Sequence, residues 1–139
     1  MLCCVGACTT VSDELPFAVE PSVELLRISD TKLTEFTESL ELTLRYEDGD
    51  GDLGNADADV NSIFVRDERL TEPDAYYLAP LAPADARIGI TGNLTVILSP
   101  TFRLGNAATE TTTLTLWLTD RAGHESNRLT VGPLTIVPQ

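Results

Sequence analysis

Alternation of apolar and polar residues is the feature that most limits what this chain can fold into. The clearest stretch runs from Ser39 to Glu47, and its apolar members are Leu40, Leu42, Leu44 and Tyr46. A period of two places these side chains on one face of a β-strand and the intervening polar ones on the other. No segment shows a 3.6-residue period with the capping residues that mark a helix. The sequence therefore predicts an all-β protein.

The remaining predicted strands are equally short and are separated by turn residues. They are Val23 to Ser29, Ser62 to Arg66, Arg87 to Ile90, Leu94 to Leu98, Thr111 to Thr119 and Leu129 to Val137. Thr91-Gly92-Asn93 predicts a tight turn or bulge, and Gly132-Pro133 predicts an edge or bulge because proline donates no ladder hydrogen bond. Residues 67–86 are expected to cross irregularly from one sheet to the other. About seven strands predict an immunoglobulin-like antiparallel β-sandwich.

Length and charge restrict the class of partner. The 139 residues fit one domain, and 9 Lys and Arg against 22 Asp and Glu give a net charge of −13. A field of that sign repels the phosphates of nucleic acid and anionic lipid surfaces, and it attracts cations. Nucleic acid is therefore excluded as a partner.

All three cysteines lie within the first eight residues, so neither a disulfide scaffold nor a zinc site is expected. Val5-Gly6-Ala7-Cys8 resembles a bacterial lipobox, a family of cleavage sites whose cysteine carries a diacylglyceryl group. This resemblance implies export and a lipid anchor on Cys8. A short buried strand or a frayed tail is the alternative for residues 1–8. Residues 9–22 are interpreted as a linker and residues 23–139 as the domain.

An acidic loop follows the clearest strand. Asp48, Asp50 and Asp52 alternate with glycines, and Asp57 and Asp59 come shortly after. Calcium takes six to eight oxygen ligands, and alternate carboxylates converge on it only where glycine lets the backbone curl. We therefore expect a structural calcium site. The alternative is a hairpin turn, which Asp and Gly form without metal.

A second motif, Thr119-Asp120-Arg121-Ala122-Gly123-His124-Glu125-Ser126-Asn127, precedes the last strand. Together with the acidic loop and the lipobox-like start, it resembles a group of small lipoproteins of Gram-negative bacteria. Those carry an Asp-Gly-Asp-Gly-Asp loop and an Asp-Arg-Ala-Gly-Asn-x-Ser-Asn turn, whose first Asn is replaced here by His124. The resemblance implies an immunoglobulin-like fold at the cell envelope, and the activity of this group is largely unassigned. If the two loops share one end of the sandwich, Asp120 would be a further ligand and Asn127 would fix the turn; turn chemistry alone is the alternative for both.

Asp120, His124 and Ser126 have the composition of a catalytic triad, but they lie on one short turn. A triad needs its base, nucleophile and oxyanion hole assembled by a scaffold, so we predict that the protein is not an enzyme. Trp117 alternates with Leu114, Leu116 and Leu118 along its predicted strand and is therefore expected to face away from the core. With Tyr76 and Tyr77 it forms a candidate partner contact, unless the Tyr76-Tyr77-Leu78 segment folds over it.

Two functions follow as hypotheses. The first is a structural or accessory lipoprotein, anchored to the outer membrane, which binds an envelope protein and takes no small-molecule substrate. The second is a carbohydrate- or ligand-binding surface module that uses Trp117.

Overall fold

A computed structural model describes residues 16–139 of the chain, and this part is built from strands and loops. Eight strands form two sheets: β1 (Ser22–Ile28), β2 (Lys32–Thr34), β3 (Leu40–Asp48), β4 (Asn61–Asp67), β5 (Asp74–Tyr77), β6 (Ile90–Leu98), β7 (Glu110–Leu118) and β8 (Leu129–Val137). The all-β prediction is confirmed. Within these residues there is no helix with the length and apolarity needed to cross a membrane.

The two sheets pack as a β-sandwich. The smaller sheet has the order β1-β3-β6, and the larger has the order β2-β8-β7-β4-β5. Neighbouring strands are antiparallel except β2 and β8, which are parallel, so the expectation of a wholly antiparallel sandwich is wrong for that pair. The immunoglobulin-type arrangement stays a prediction.

The strands differ from the predicted ones in three places. In each place, pairing with a strand that is distant in the sequence determines whether the segment forms a strand. Thr91-Gly92-Asn93 is not a turn, because β6 runs unbroken through it in continuous register with β3. Gly92 leaves room there for the Tyr46 side chain, whose hydroxyl would lie 2.8 Å from a Cβ. The short strands β2 and β5 lie outside all of the predicted strands. The predicted bulge at Gly132-Pro133 is confirmed, since the β7–β8 register shifts there.

The core lies between the inner faces of the sheets. Its most enclosed members include Leu42 and Leu44 of β3 and Leu116 and Leu118 of β7, all 0% exposed. In both strands the inward positions carry even numbers, and the next even position beyond the last apolar one is an aspartate: Asp48 in β3 and Asp120 just after β7. The same alternation that builds the core thus aims two carboxylates between the sheets.

Candidate metal centre

Four aspartates converge at one end of the sandwich. Asp48, Asp50, Asp52 and Asp120 each offer a carboxylate oxygen, and these four atoms all lie within 4.8 Å of one another. Three of the residues come from the end of β3 and the loop after it, and the fourth comes from the turn between β7 and β8. The prediction that these loops share one end, with Asp120 beside the acidic loop, is confirmed.

Burial distinguishes this cluster from an ordinary acidic surface. Asp48 is 0% exposed and Asp120 is 6% exposed. An isolated carboxylate in such surroundings is strongly disfavoured unless a cation, a proton or hydrogen-bond donors offset its charge.

The acidic loop is held in a tight curl by its glycines and one leucine. A Cβ at Gly49 would lie 2.2 Å from the Phe17 carbonyl oxygen, and Gly51 has φ +71°, so neither position suits a side chain. Leu53 is 0% exposed and fixes the loop to the core. Its N–H donates to Asp48 Oδ2 at 2.9 Å, which orients that carboxylate.

Hydrogen bonds join the acidic loop to the turn after β7. Arg121 N–H donates to the Asp52 carbonyl oxygen at 3.2 Å, and Ala122 N–H donates to Asp52 Oδ2 at 3.2 Å. The Arg121 guanidinium donates through Nη1 to the Gly54 carbonyl oxygen at 2.7 Å. Sequence reasoning missed Arg121; the only signal was a basic residue directly after Asp120 in a strongly acidic chain.

Three buried carboxylate oxygens in the cluster have no hydrogen-bond partner among the described residues: Oδ1 of Asp48, of Asp50 and of Asp52. Burial raises the pKa of Asp48, aided by the neighbouring Asp50 carboxyl. Burial, then Asp50 and the charge of Asp120, raises the pKa of Asp52 to about 7. A group of acids that resists ionisation in this way is completed by either protons or a cation. Hard oxygen donors of this kind suit calcium or magnesium, so the residues fit the expected metal.

Asp57 and Asp59, which were also predicted to be ligands, lie outside the cluster. Both are exposed. Asn55 Oδ1 accepts a hydrogen bond from Asp57 N–H at 2.9 Å, and Asp57 Oδ1 accepts one from Asp59 N–H at 2.9 Å. Each of these bonds closes a short turn through a side-chain oxygen. The alternative of a turn without metal therefore applies to this half of the loop.

The turn after β7 uses its polar side chains for structure. His124 N–H donates to Asp120 Oδ1 at 2.8 Å, and His124 Nδ1 lies 2.9 Å from Asp120 Oδ2. The hydrogen bond with Asp120 raises the pKa of His124. Ser126 Oγ donates to the Asn127 carbonyl oxygen and accepts from Leu118 N–H, both at 2.8 Å. The Ser126 hydroxyl is thus hydrogen-bonded to backbone groups and not to the His124 imidazole.

Asn127 does more than fix the turn. Its Oδ1 accepts from Val23 N–H at 2.8 Å, and its Nδ2 donates to the Val23 carbonyl oxygen at 2.9 Å. The side-chain amide therefore pairs with β1 as a strand residue would, and it ties the turn to the smaller sheet.

Trp117 lies half-buried on the outer face of the larger sheet, as its parity predicts. Its ring stacks on Phe64 with 5.6 Å between centroids, and Arg128 Cζ lies 3.8 Å from its centre. The expectation that the Tyr76-Tyr77-Leu78 segment folds over it is wrong, because Tyr76 and Leu78 pack against the core instead. Tyr77 is 42% exposed.

Comparison with protein-family models, with curated proteins and with solved structures found no significant match. Cys8 lies outside the described residues. Of the predicted linker, the end nearest β1 contacts the domain, since Gly49 N–H donates to the Ala18 carbonyl oxygen at 2.8 Å.

Proposed function

We propose that this chain is a non-catalytic lipoprotein of the bacterial cell envelope, anchored to the outer membrane through Cys8. Its β-sandwich is stabilised by a calcium ion held by Asp48, Asp50, Asp52 and Asp120, and it serves a protein partner as a structural or accessory subunit. The observation that carries the calcium part is the set of three buried, unpartnered carboxylate oxygens that share one small space. The lipobox-like start and the order of the two loop motifs support the anchor and the envelope location.

Calcium suits the cluster better than magnesium does. Calcium accepts six to eight oxygens in variable geometry and tolerates bidentate carboxylates, whereas magnesium demands a near-ideal octahedron and keeps several waters. Four carboxylates, three of them from the glycine-rich loop and the end of β3 and one from the turn after β7, offer many oxygens without a rigid octahedral frame. The ion would bridge the ends of β3 and β7, and therefore the two sheets.

The surroundings of the cluster favour a structural role. Asp48 and Asp120 are held by backbone donors, and their burial between the sheets keeps substrate-sized molecules away. The Ser126 hydroxyl is committed to backbone partners. These contacts support stabilisation over catalysis.

The alternative, a carbohydrate- or ligand-binding module, rests on Trp117. An open groove of about 420 Å³ is lined by Arg66, Thr71, Pro73, Thr115, Trp117 and Arg128. Arg128 lies over the indole, so a sugar ring would have to displace this cation–π contact before stacking. The groove supports the alternative less well than the unpartnered carboxylates support the calcium proposal.

Thermal melting tests the calcium site. We expect calcium at ten times its dissociation constant to stabilise the fold by about 1.4 kcal/mol, which corresponds to a rise in Tm of roughly 4 °C. Asp50→Ala removes one ligand from the cluster and should abolish the rise. Asp59→Ala removes an exposed carboxylate from the same loop and should leave it unchanged. Identical melts of the unsubstituted protein in calcium and in chelator would contradict the proposal.

A further inference from the structure

The segment directly before β1 lies against the acidic loop. Residues 16–20, here called the strap, belong to the stretch that was predicted to be a linker. Gly49 N–H donates to the Ala18 carbonyl oxygen at 2.8 Å. The buried Pro21 follows the strap and leads into β1. The chain is thus attached to the domain several residues before its first strand.

Two glycines make room for the strap. A Cβ at Gly49 would lie 2.2 Å from the Phe17 carbonyl oxygen and 2.4 Å from that of Ala18. A Cβ at Gly89, which directly precedes β6, would lie 2.5 Å from Cγ of Pro16. Any larger residue at either position would collide with the strap. The strap therefore lies between the acidic loop and the segment before β6.

The backbone that contacts the strap also places the metal ligands. Gly49 lies between Asp48 and Asp50, whose Oδ1 atoms are buried without a hydrogen-bond partner in the described part of the chain. Without a cation, these carboxylates repel each other when ionised and are disfavoured by burial, so the curl of the loop is destabilised. A bound cation removes both penalties and keeps Gly49 N–H directed at Ala18.

The strap is held weakly enough for this difference to matter. Among residues 16–139, one hydrogen bond joins it to the rest of the domain, and its side chains Phe17 and Val19 are half-buried. A single hydrogen bond contributes little net free energy, and ordering each residue costs a comparable or larger amount. The balance between the docked and the free strap therefore depends on how firmly the acidic loop is held.

The charge of the strap acts in the same direction. Glu20 is exposed, and it lies close enough to His124 for its charge to add to the effect of Asp120, which is the main cause of the raised pKa of His124. Ionised carboxylates in a metal-free cluster repel Glu20. A divalent cation in the cluster removes this repulsion.

We infer that calcium binding fastens residues 16–20 to the acidic loop and that loss of calcium releases them. This inference rests on the proposed calcium site and lipid anchor. Release frees five residues, which at about 3.4 Å each lengthen the tether to Cys8 by at most about 17 Å. Calcium thereby sets how far from the membrane the domain can meet its partner.

Limited proteolysis of the full chain with chymotrypsin tests this inference, because the bond between Phe17 and Ala18 lies within the strap. Mass spectrometry identifies the cut by the product that begins at Ala18. We expect this cut to be at least fivefold slower in calcium than in chelator, since a protease needs a locally free segment. A chromogenic peptide substrate normalises protease activity in the two buffers. Cuts after Tyr46 or Trp117 report global unfolding and are counted separately.

Three variants separate strap docking from calcium binding. Asp50→Ala removes a ligand, so the cut after Phe17 should be as fast in calcium as in chelator. Gly89→Ala keeps the ligands but collides with Pro16, so the cut should be fast in both buffers while calcium still raises Tm. Gly105→Ala is the matched control, because the nearest atom to its Cβ, apart from its chain neighbours, lies 3.9 Å away. It should behave like the unsubstituted protein.

The outcomes distinguish the strap from the calcium site. A rise of Tm in calcium with an unchanged rate of cutting after Phe17 overturns the strap inference and leaves the calcium site standing. No rise of Tm contradicts the calcium site itself, and the strap inference with it. A Gly89→Ala variant that retains the calcium-dependent cut also overturns the inference, because calcium would then protect this bond without the docked strap.

Discussion

At the scale of single residues, position within a strand decides which carboxylates become buried. Asp48 occupies an inward position of β3, Asp120 continues the inward positions of β7 just beyond its end, and Asp57 and Asp59 lie in exposed turns. All four have the same side chain, so their different surroundings come from backbone direction and not from residue type. The ligand set is therefore smaller than the number of aspartates in the loop suggests.

Without metal, the stability of the folded protein should fall as pH rises, which is the reverse of the usual response of an acidic group. The pKa of Asp52 stands at about 7 against an ordinary 3.8, because burial disfavours its charged form. The folded chain then retains a proton that the unfolded chain loses, so this contribution to stability is complete below about pH 4 and is lost as pH rises through about 7. The raised pKa of His124 acts in the same direction.

We therefore expect Tm in chelator to fall as pH rises from about 5 to 8. Asp52→Asn should flatten most of that slope, and His124→Ala should leave most of it. Added calcium should have its greatest effect at the upper end of the range, where the carboxylates need a cation most. A Tm in chelator that rises over this range would contradict the account.

At the scale of elements, the side chain of Asn127 takes the place of a neighbouring strand at the edge of β1. The β1 edge has no strand partner beyond β3 among the described residues, and Asn127 supplies the donor and acceptor that one would offer to Val23. The amide also links the turn after β7 to the opposite sheet. It helps to fix the position of the neighbouring metal cluster.

Asn127→Ala should lower the free energy of unfolding by about 1–3 kcal/mol, since two hydrogen bonds to the backbone of the buried Val23 are lost. Asn93→Ala is the matched control, because Asn93 is exposed on β6, and it should change stability by less than about 0.5 kcal/mol. Urea denaturation followed by Trp117 fluorescence measures both variants. Equal stabilities for the two would show that the amide has no such role.

At the scale of the whole molecule, one charge sign dominates. With a net charge of −13, compacting the chain brings like charges together, and the metal cluster concentrates four aspartates at one end. Ion pairs offset part of this at the other end, where Arg103 contacts Glu35 at 2.9 Å and Arg69 contacts Asp67 at 2.7 Å. The hydrogen bonds and charge of Arg103 lower the pKa of Glu35.

Screening should therefore stabilise the metal-free fold. Raising NaCl from about 0.01 M to 1 M shortens the Debye length from about 30 Å to about 3 Å. In chelator and at low protein concentration, we expect Tm at pH 7 to rise with NaCl. Near the sequence pI of 4.2, where net charge vanishes, the rise should disappear. A Tm that falls with NaCl at pH 7 would show that the ion pairs outweigh the repulsion.

The sequence by itself determined the strand alternation, hence the all-β class, the central strands and the inward direction of Asp48. These are consequences of a period of two within one segment, which neighbouring residues encode. Tertiary structure decided which distant residues meet: that Asp120 joins the cluster while Asp57 and Asp59 do not, and that Phe64 and Arg128 flank Trp117. It also decided that β2 and β5 are strands and that, among the described residues, β6 pairs with β3 alone. Such pairings depend on how two sheets are ordered and stacked, and no local pattern specifies them.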